Sequence, residues 1–234
     1  RRDFMQHRTH LPKRSSGPVV TALALSLGAA VALGLTRFAY ALLLPAMRQD
    51  LGWSYLLAGA MNTGNAVGYL LGALSSPVLM RRLGPARTLV LGTVVAGGFM
   101  LASAAVTDTA ALLALRVLAG AASAWVFIAG GLLAAQLGAQ HAARAGWLIG
   151  IYYSGTGLGI VVSAGLVPAV LGAAQQHGAA HAWQWPWAAL GLTCGLAAWV
   201  LHAQARATAR AAALDANTTN TTNTTNTTNT TNTT

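Results

Sequence analysis

The sequence predicts an all-helical integral membrane protein, a bundle of six transmembrane helices. Three observations carry that prediction. The 234-residue chain is 55% hydrophobic and only 8% charged, with a mean hydropathy of +0.53, whereas a soluble domain is about one-quarter charged. Apolar stretches long enough to cross a hydrocarbon core, about 20 residues, recur six times. The basic residues then fall almost wholly into alternate connections between those stretches.

The elements follow in order. Residues 1–17 form a basic N-terminus containing Arg1, Arg2, Arg8, Lys13 and Arg14; the chain starts at Arg1, with Met5 the nearest plausible start. The first span is expected over 19–47, interrupted only by Arg37. It is too long, and followed by too many further spans, to be a signal peptide. The second, 55–79, carries Asn62 and Asn65 beside Gly64, Gly68 and Gly72. The third covers 88–107, and the fourth, 110–135, contains Arg116. The fifth, 147–171, contains Tyr153, Gly155 and Gly159, and the sixth covers 185–203. Turn formers and charges fill the gaps, which are short enough to make sequential helices antiparallel neighbours within a membrane domain of residues 18–206. Residues 207–234 end in an Asn-Thr-Thr repeat from Asn217 that has no apolar side chain to bury. This tail is expected to be disordered, and reads as a repeat expansion, a frameshift or a fragment edge.

Eleven of the fourteen lysines and arginines precede the first span, join spans two to three or four to five, or follow the sixth. Only Arg48 lies on the opposite side, and Arg37 and Arg116 lie within spans. The positive-inside rule then places both termini in the cytoplasm, as expected of a multi-pass inner-membrane protein. The net charge of +10 is therefore topology rather than a nucleic-acid face, which would need a polar surface. Trp183, Trp185 and Trp187 at the start of the sixth span suit an interfacial belt.

The acids are Asp3, Asp50, Asp108 and Asp215, there is no Glu, and none lies in a span. Paired-carboxylate catalysis is thereby excluded. A single cysteine, Cys194, provides neither a disulfide nor a cysteine metal site. His177 and His181 have a helical ligand spacing but no third ligand, Ser154 has no base in reach, and no nucleotide loop is present. The sequence thus points to no enzyme, metal or cofactor. Arg37 and Arg116 are the informative residues, because an arginine in hydrocarbon costs at least about 3 kcal/mol and normally faces a cavity or a partner. At 1.5 Å per residue both sit about 10–12 Å below the non-basic surface. With no acid to neutralise them, the candidate partners are Asn62, Asn65, Tyr40, Tyr152, Tyr153, backbone carbonyls, or an anionic substrate. Either the two line a cavity that attracts an anion, or each is held by neighbouring helices. Asn62 and Asn65 similarly suit a pore lining or interhelical bonding, and the glycines at four-residue spacing suit close helix packing.

These residues carry a family resemblance. Gly34-Leu-Thr-Arg-Phe-Ala-Tyr-Ala-Leu-Leu-Leu-Pro-Ala-Met47 resembles the first helix of the YbfB/YjiJ-type branch of the major facilitator superfamily. Gly64-Asn-Ala-Val-Gly-Tyr-Leu-Leu-Gly72 resembles its second helix, and Tyr153-Ser-Gly-Thr-Gly-Leu-Gly159 its fifth. Leu115-Arg-Val-Leu-Ala-Gly120 is similar to the superfamily's helix-four motif, with Arg116 and Gly120 in matching places. The loop motif is altered: Arg81 stands at the family's acidic position, with Arg82, Gly84 and Arg87 following. The resemblance implies one six-helix half of a secondary transporter, built of 3+3 inverted repeats. It implies movement of a small solute by alternating access without ATP, and completion by a C-terminal half or a second copy. Under that symmetry Arg37 and Arg116 lie on corresponding helices, and Pro77 and Pro168 close corresponding helices. The alternatives are a non-transporting six-span protein or degenerate fragment, and, least supported by the residues, a membrane-embedded enzyme.

Overall fold

The computed structural model describes residues 17–206. The expectations for residues 1–16 and 207–234 lie outside the described residues. Within them the chain forms six long helices: α1 Pro18–Asp50, α2 Tyr55–Leu83, α3 Pro85–Ser103, α4 Thr109–Gln140, α5 Ala145–Gln176 and α6 Gln184–Arg206. Even α3, the shortest at 19 residues, reaches about 29 Å at 1.5 Å per residue, a full hydrocarbon thickness. Five of the six are both long and apolar enough to cross a membrane. The sixth, α2, has the length at 29 residues, but Asn62, Asn65 and several small residues dilute its hydropathy. Helix α5 continues to Gln176, beyond the expected end at 171, so the α5–α6 connection is shorter than the sequence suggested.

Local chemistry sets the ends. Ser54 Oγ accepts from Leu57 N at 3.2 Å and Asp108 Oδ1 from Ala111 N at 2.8 Å, capping α2 and α4. Pro18 and Pro85 occupy first-turn positions, where a missing N–H costs nothing. Gly84 is the whole connection between α2 and α3; its φ of +80° is open to glycine without strain.

The helices are apolar all round, so side-chain size rather than polarity sorts inside from outside. On α2, Leu70, Leu71 and Leu74 point outward while Asn65, Gly68 and Gly72 are buried. A Cβ at Gly68 would overlap the backbone of Val117, and one at Gly72 that of Ala121, so α2 and α4 touch backbone to backbone. Helices α5 and α1 repeat this contact: Gly155 lies against Ser26, Gly159 against Ala30, and Ser163 Oγ donates to Gly34 O at 3.0 Å.

The two contacts share one register. Gly64, Gly68, Gly72 and Pro77 of α2 match Gly155, Gly159, Ser163 and Pro168 of α5 at a constant offset. Their partners Leu113, Val117 and Ala121 match Ser26, Ala30 and Gly34 equally regularly. This is the pairing expected of two inverted three-helix repeats. Arg37 and Arg116 lie on the corresponding helices α1 and α4 but not at corresponding positions, because Arg116 aligns with Ala29 and Arg37 with Ala124. Inverted repeats carry equivalent residues to opposite depths, so two arginines at one depth are not symmetry mates.

Two apolar clusters fill the bundle. One lies toward the non-basic end around Tyr40, Met47, Trp183 and Trp187. The other lies toward the basic end around Leu25, Leu89, Tyr152 and Leu201.

Candidate functional site

The site begins with a distortion of α1. Between Ala30 and Phe38 the helix opens into π-helical turns, a widening that is frequent at functional sites. Thr36 stands in it, its Oγ1 donating to Val31 O at 3.1 Å and also to Ala32 O. The Thr36 carbonyl accepts a hydrogen bond from Arg116 Nη1 at 3.0 Å across the α1–α4 interface.

Arg116 points into the bundle, 4% exposed. Its Cζ lies 4.4 Å from the centroid of the Tyr40 ring and 5.6 Å from that of Trp187, so aromatic faces on α1 and α6 take the place of a counter-ion. Tyr40 is fixed in turn by its hydroxyl, which donates to Ala58 O at 3.0 Å. Asn65 Nδ2 donates to Arg116 O at 3.0 Å. Arg116 Nε and Nη2 have no hydrogen-bond partner among the described residues. Thus Arg116, Tyr40 and Asn65, three of the sequence-predicted site residues, meet in the interior of the bundle.

The other three, Arg37, Asn62 and Tyr153, are exposed. Arg37 is within electrostatic reach of Tyr69 and Arg116, and Tyr69 within reach of Tyr153. Tyr153 packs edge-on to Tyr152 at 5.0 Å and beside Phe127 at 5.8 Å, while Tyr152 donates to Phe127 O at 2.7 Å. Asn62 and Tyr69 are two turns apart on one face of α2. The result is two layers. A buried cation is clamped between helices, and an outer layer carries one exposed cation, Arg37, within electrostatic reach of the Tyr69 phenol. An exposed cation of this kind can attract an anion.

Thr36 and Tyr69 are site residues that sequence reasoning misses, although Tyr69 stands seven residues after Asn62 on the same helix face. Trp187 belongs to the site rather than to an interfacial belt, which suits only Trp185: Trp183 and Trp187 are each 1% exposed. Trp183 turns to the non-basic end of α1, where its Nε1 and His181 Nδ1 both meet Asp50 Oδ2, at 2.5 and 2.6 Å. His177 turns away, with Nδ1 on Ala173 O, and no three potential ligands cluster among the described residues. Ser154 Oγ is engaged by Ile151 O, and Cys194 lies against Met100 Sδ in the core. Arg81, Arg82 and Arg87 of the altered loop are exposed around Gly84.

A family model described as uncharacterised MFS-type transporter YbfB matches residues 29–232. No curated protein matches the chain.

Proposed function

Because the chain belongs to the family of YbfB-type MFS transporters, we propose that it moves a small anionic solute, such as a carboxylate, by alternating access. Arg37 is the residue that attracts the solute. Asn62, Tyr69 and Tyr153 are its hydrogen-bonding neighbours, and Arg116 supplies a second positive charge from behind. The observation that carries this reading is the exposed Arg37 within α1, the acids among the described residues, Asp50 and Asp108, lying only at the non-basic helix ends. An unpaired intramembrane cation is costly and is retained where a ligand or a cavity uses it. The exposed apolar faces of α2 and α5, including Leu70, Leu74 and Val161, suit packing against a second six-helix body, either another half or a second copy. The charge bias of its connections supports a cytoplasmic position for both ends of the bundle.

The test is uptake of a panel of labelled small carboxylates, amines and neutral sugars into liposomes containing the full chain, with and without a proton gradient. Carboxylate uptake that falls to background in Arg37→Ala, with the variant still monodisperse in detergent, supports the reading. Uptake unchanged in Arg37→Ala, or confined to cations, overturns it.

A further inference from the structure

A cavity lies at the opposite end of the bundle from the arginine layers. It has a volume of about 380 Å³ and is enclosed by the basic-side ends of α1, α3, α4 and α6, within the size range of ligand pockets, ~300–1,000 Å³. Leu25, Leu89, Val90, Leu133 and Leu201 form its apolar walls. Gln136, Gln140 and His141 give it a polar edge on the last turns of α4. Three exposed arginines flank that edge. Arg87 follows Ala86, Arg206 follows Ala205, and Arg144 stands one turn after His141, each beside a residue that lines the cavity. Arg81 and Arg82 add charge on the same side. Among the described residues the acids are Asp50 and Asp108, both at the other end of the bundle.

We infer that this cavity is a binding site for an anionic phospholipid of the leaflet on the basic side. The acyl chain enters the leucine-walled cavity, and the phosphate is held by Arg87 and Arg144 with the glutamine edge. The charge pattern chooses the occupant. An apolar cleft alone would accept any lipid tail, but exposed arginines at headgroup level, with no acid near them among the described residues, select a negative headgroup, each contributing attraction near the surface. The cavity is remote from Arg37, and its occupancy does not depend on the solute that the bundle transports.

The experiment uses the full chain equilibrated in vesicles of equal phosphatidylglycerol and phosphatidylcholine, extracted into neutral detergent and weighed by native mass spectrometry. The unsubstituted chain should carry one phosphatidylglycerol in preference to phosphatidylcholine. Arg87→Gln/Arg144→Gln should lower that retention about tenfold or more. Ala86→Trp, which fills the cavity while sparing the charges, should lower it as well. Arg48→Gln, at the other end, should leave it unchanged. Three results would overturn the inference: equal retention of both lipids, retention unaffected by Ala86→Trp, or displacement by glycerol phosphate alone. A chain that carries no lipid also overturns it.

Discussion

The side-chain amide of Asn65 donates to the backbone carbonyl of Arg116 at 3.0 Å, tying α2 to α4 at the turn that carries the buried guanidinium. Asn62, one turn away on the same helix, is exposed. The two amides therefore have different consequences when removed. Asn65→Ala is expected to lower stability by about 1 kcal/mol, the worth of an interhelical amide bond. Asn62→Ala is expected to leave stability unchanged and to weaken solute binding. Paired thermal melts and uptake assays on the two variants separate the effects.

Tyr40 serves Arg116 with its ring and α2 with its hydroxyl, and the two roles can be divided. Tyr40→Phe removes the bond to Ala58 O and keeps the aromatic face 4.4 Å from the guanidinium. A loss of about 1 kcal/mol is expected. Tyr40→Leu removes the face as well, and about 1–2 kcal/mol more should follow for a desolvated cation–π contact. Equal melting temperatures for the two variants would show that the ring does not hold the arginine.

The close helix contacts predict a sharp contrast among glycines. Gly68 and Gly155 lie under the backbones of Val117 and Ser26, whereas a Cβ at Gly59 meets no atom within 4 Å. Gly68→Ala and Gly155→Ala must push helices apart, at about 1–3 kcal/mol each. Gly59→Ala should be neutral or stabilising by up to about 1 kcal/mol, because alanine is the better helix former. Detergent melts of the three single variants check the order.

Much of this architecture was legible in the sequence. Hydropathy marks five of the six long helices, α2 being diluted by its amides and small residues, and the glycine spacing points to packing surfaces, because both are properties of composition along one helix. The fates of Arg37 and Arg116 were not legible. Their positions along the spans set one depth for both, and Arg116 bonds to Thr36, the residue beside Arg37. Whether a side chain points into the bundle or out of it depends on rotation about the helix axis. Contacts between α1, α4 and α5 set that rotation, and in a helix that is apolar all round no polar stripe announces it. The π-helical turns of α1 were hidden for a similar reason. They accompany the contact of Gly34 with Gly159 and the inward turn of Thr36, and neither is written in local propensity.

Asp50 offers the last contrast, at the end of the bundle away from the lipid cavity. One carboxylate oxygen receives Trp183 Nε1 and meets His181 Nδ1, so the end of α1 is fastened to the connection that leads into α6. Asp50 and His181 are both substantially exposed, their side chains 34% and 41% accessible, and an exposed pair of this kind contributes little, up to about 1 kcal/mol. Trp183 is different, because it is buried and its N–H needs an acceptor. Asp50→Asn keeps an oxygen for the indole and should cost little. Asp50→Ala leaves the donor without its carboxylate and should cost about 1–3 kcal/mol. His181→Ala should behave like Asp50→Asn. Melts of the three variants decide the matter. A loss in His181→Ala as large as that in Asp50→Ala would assign the fastening to the ion pair rather than to the indole.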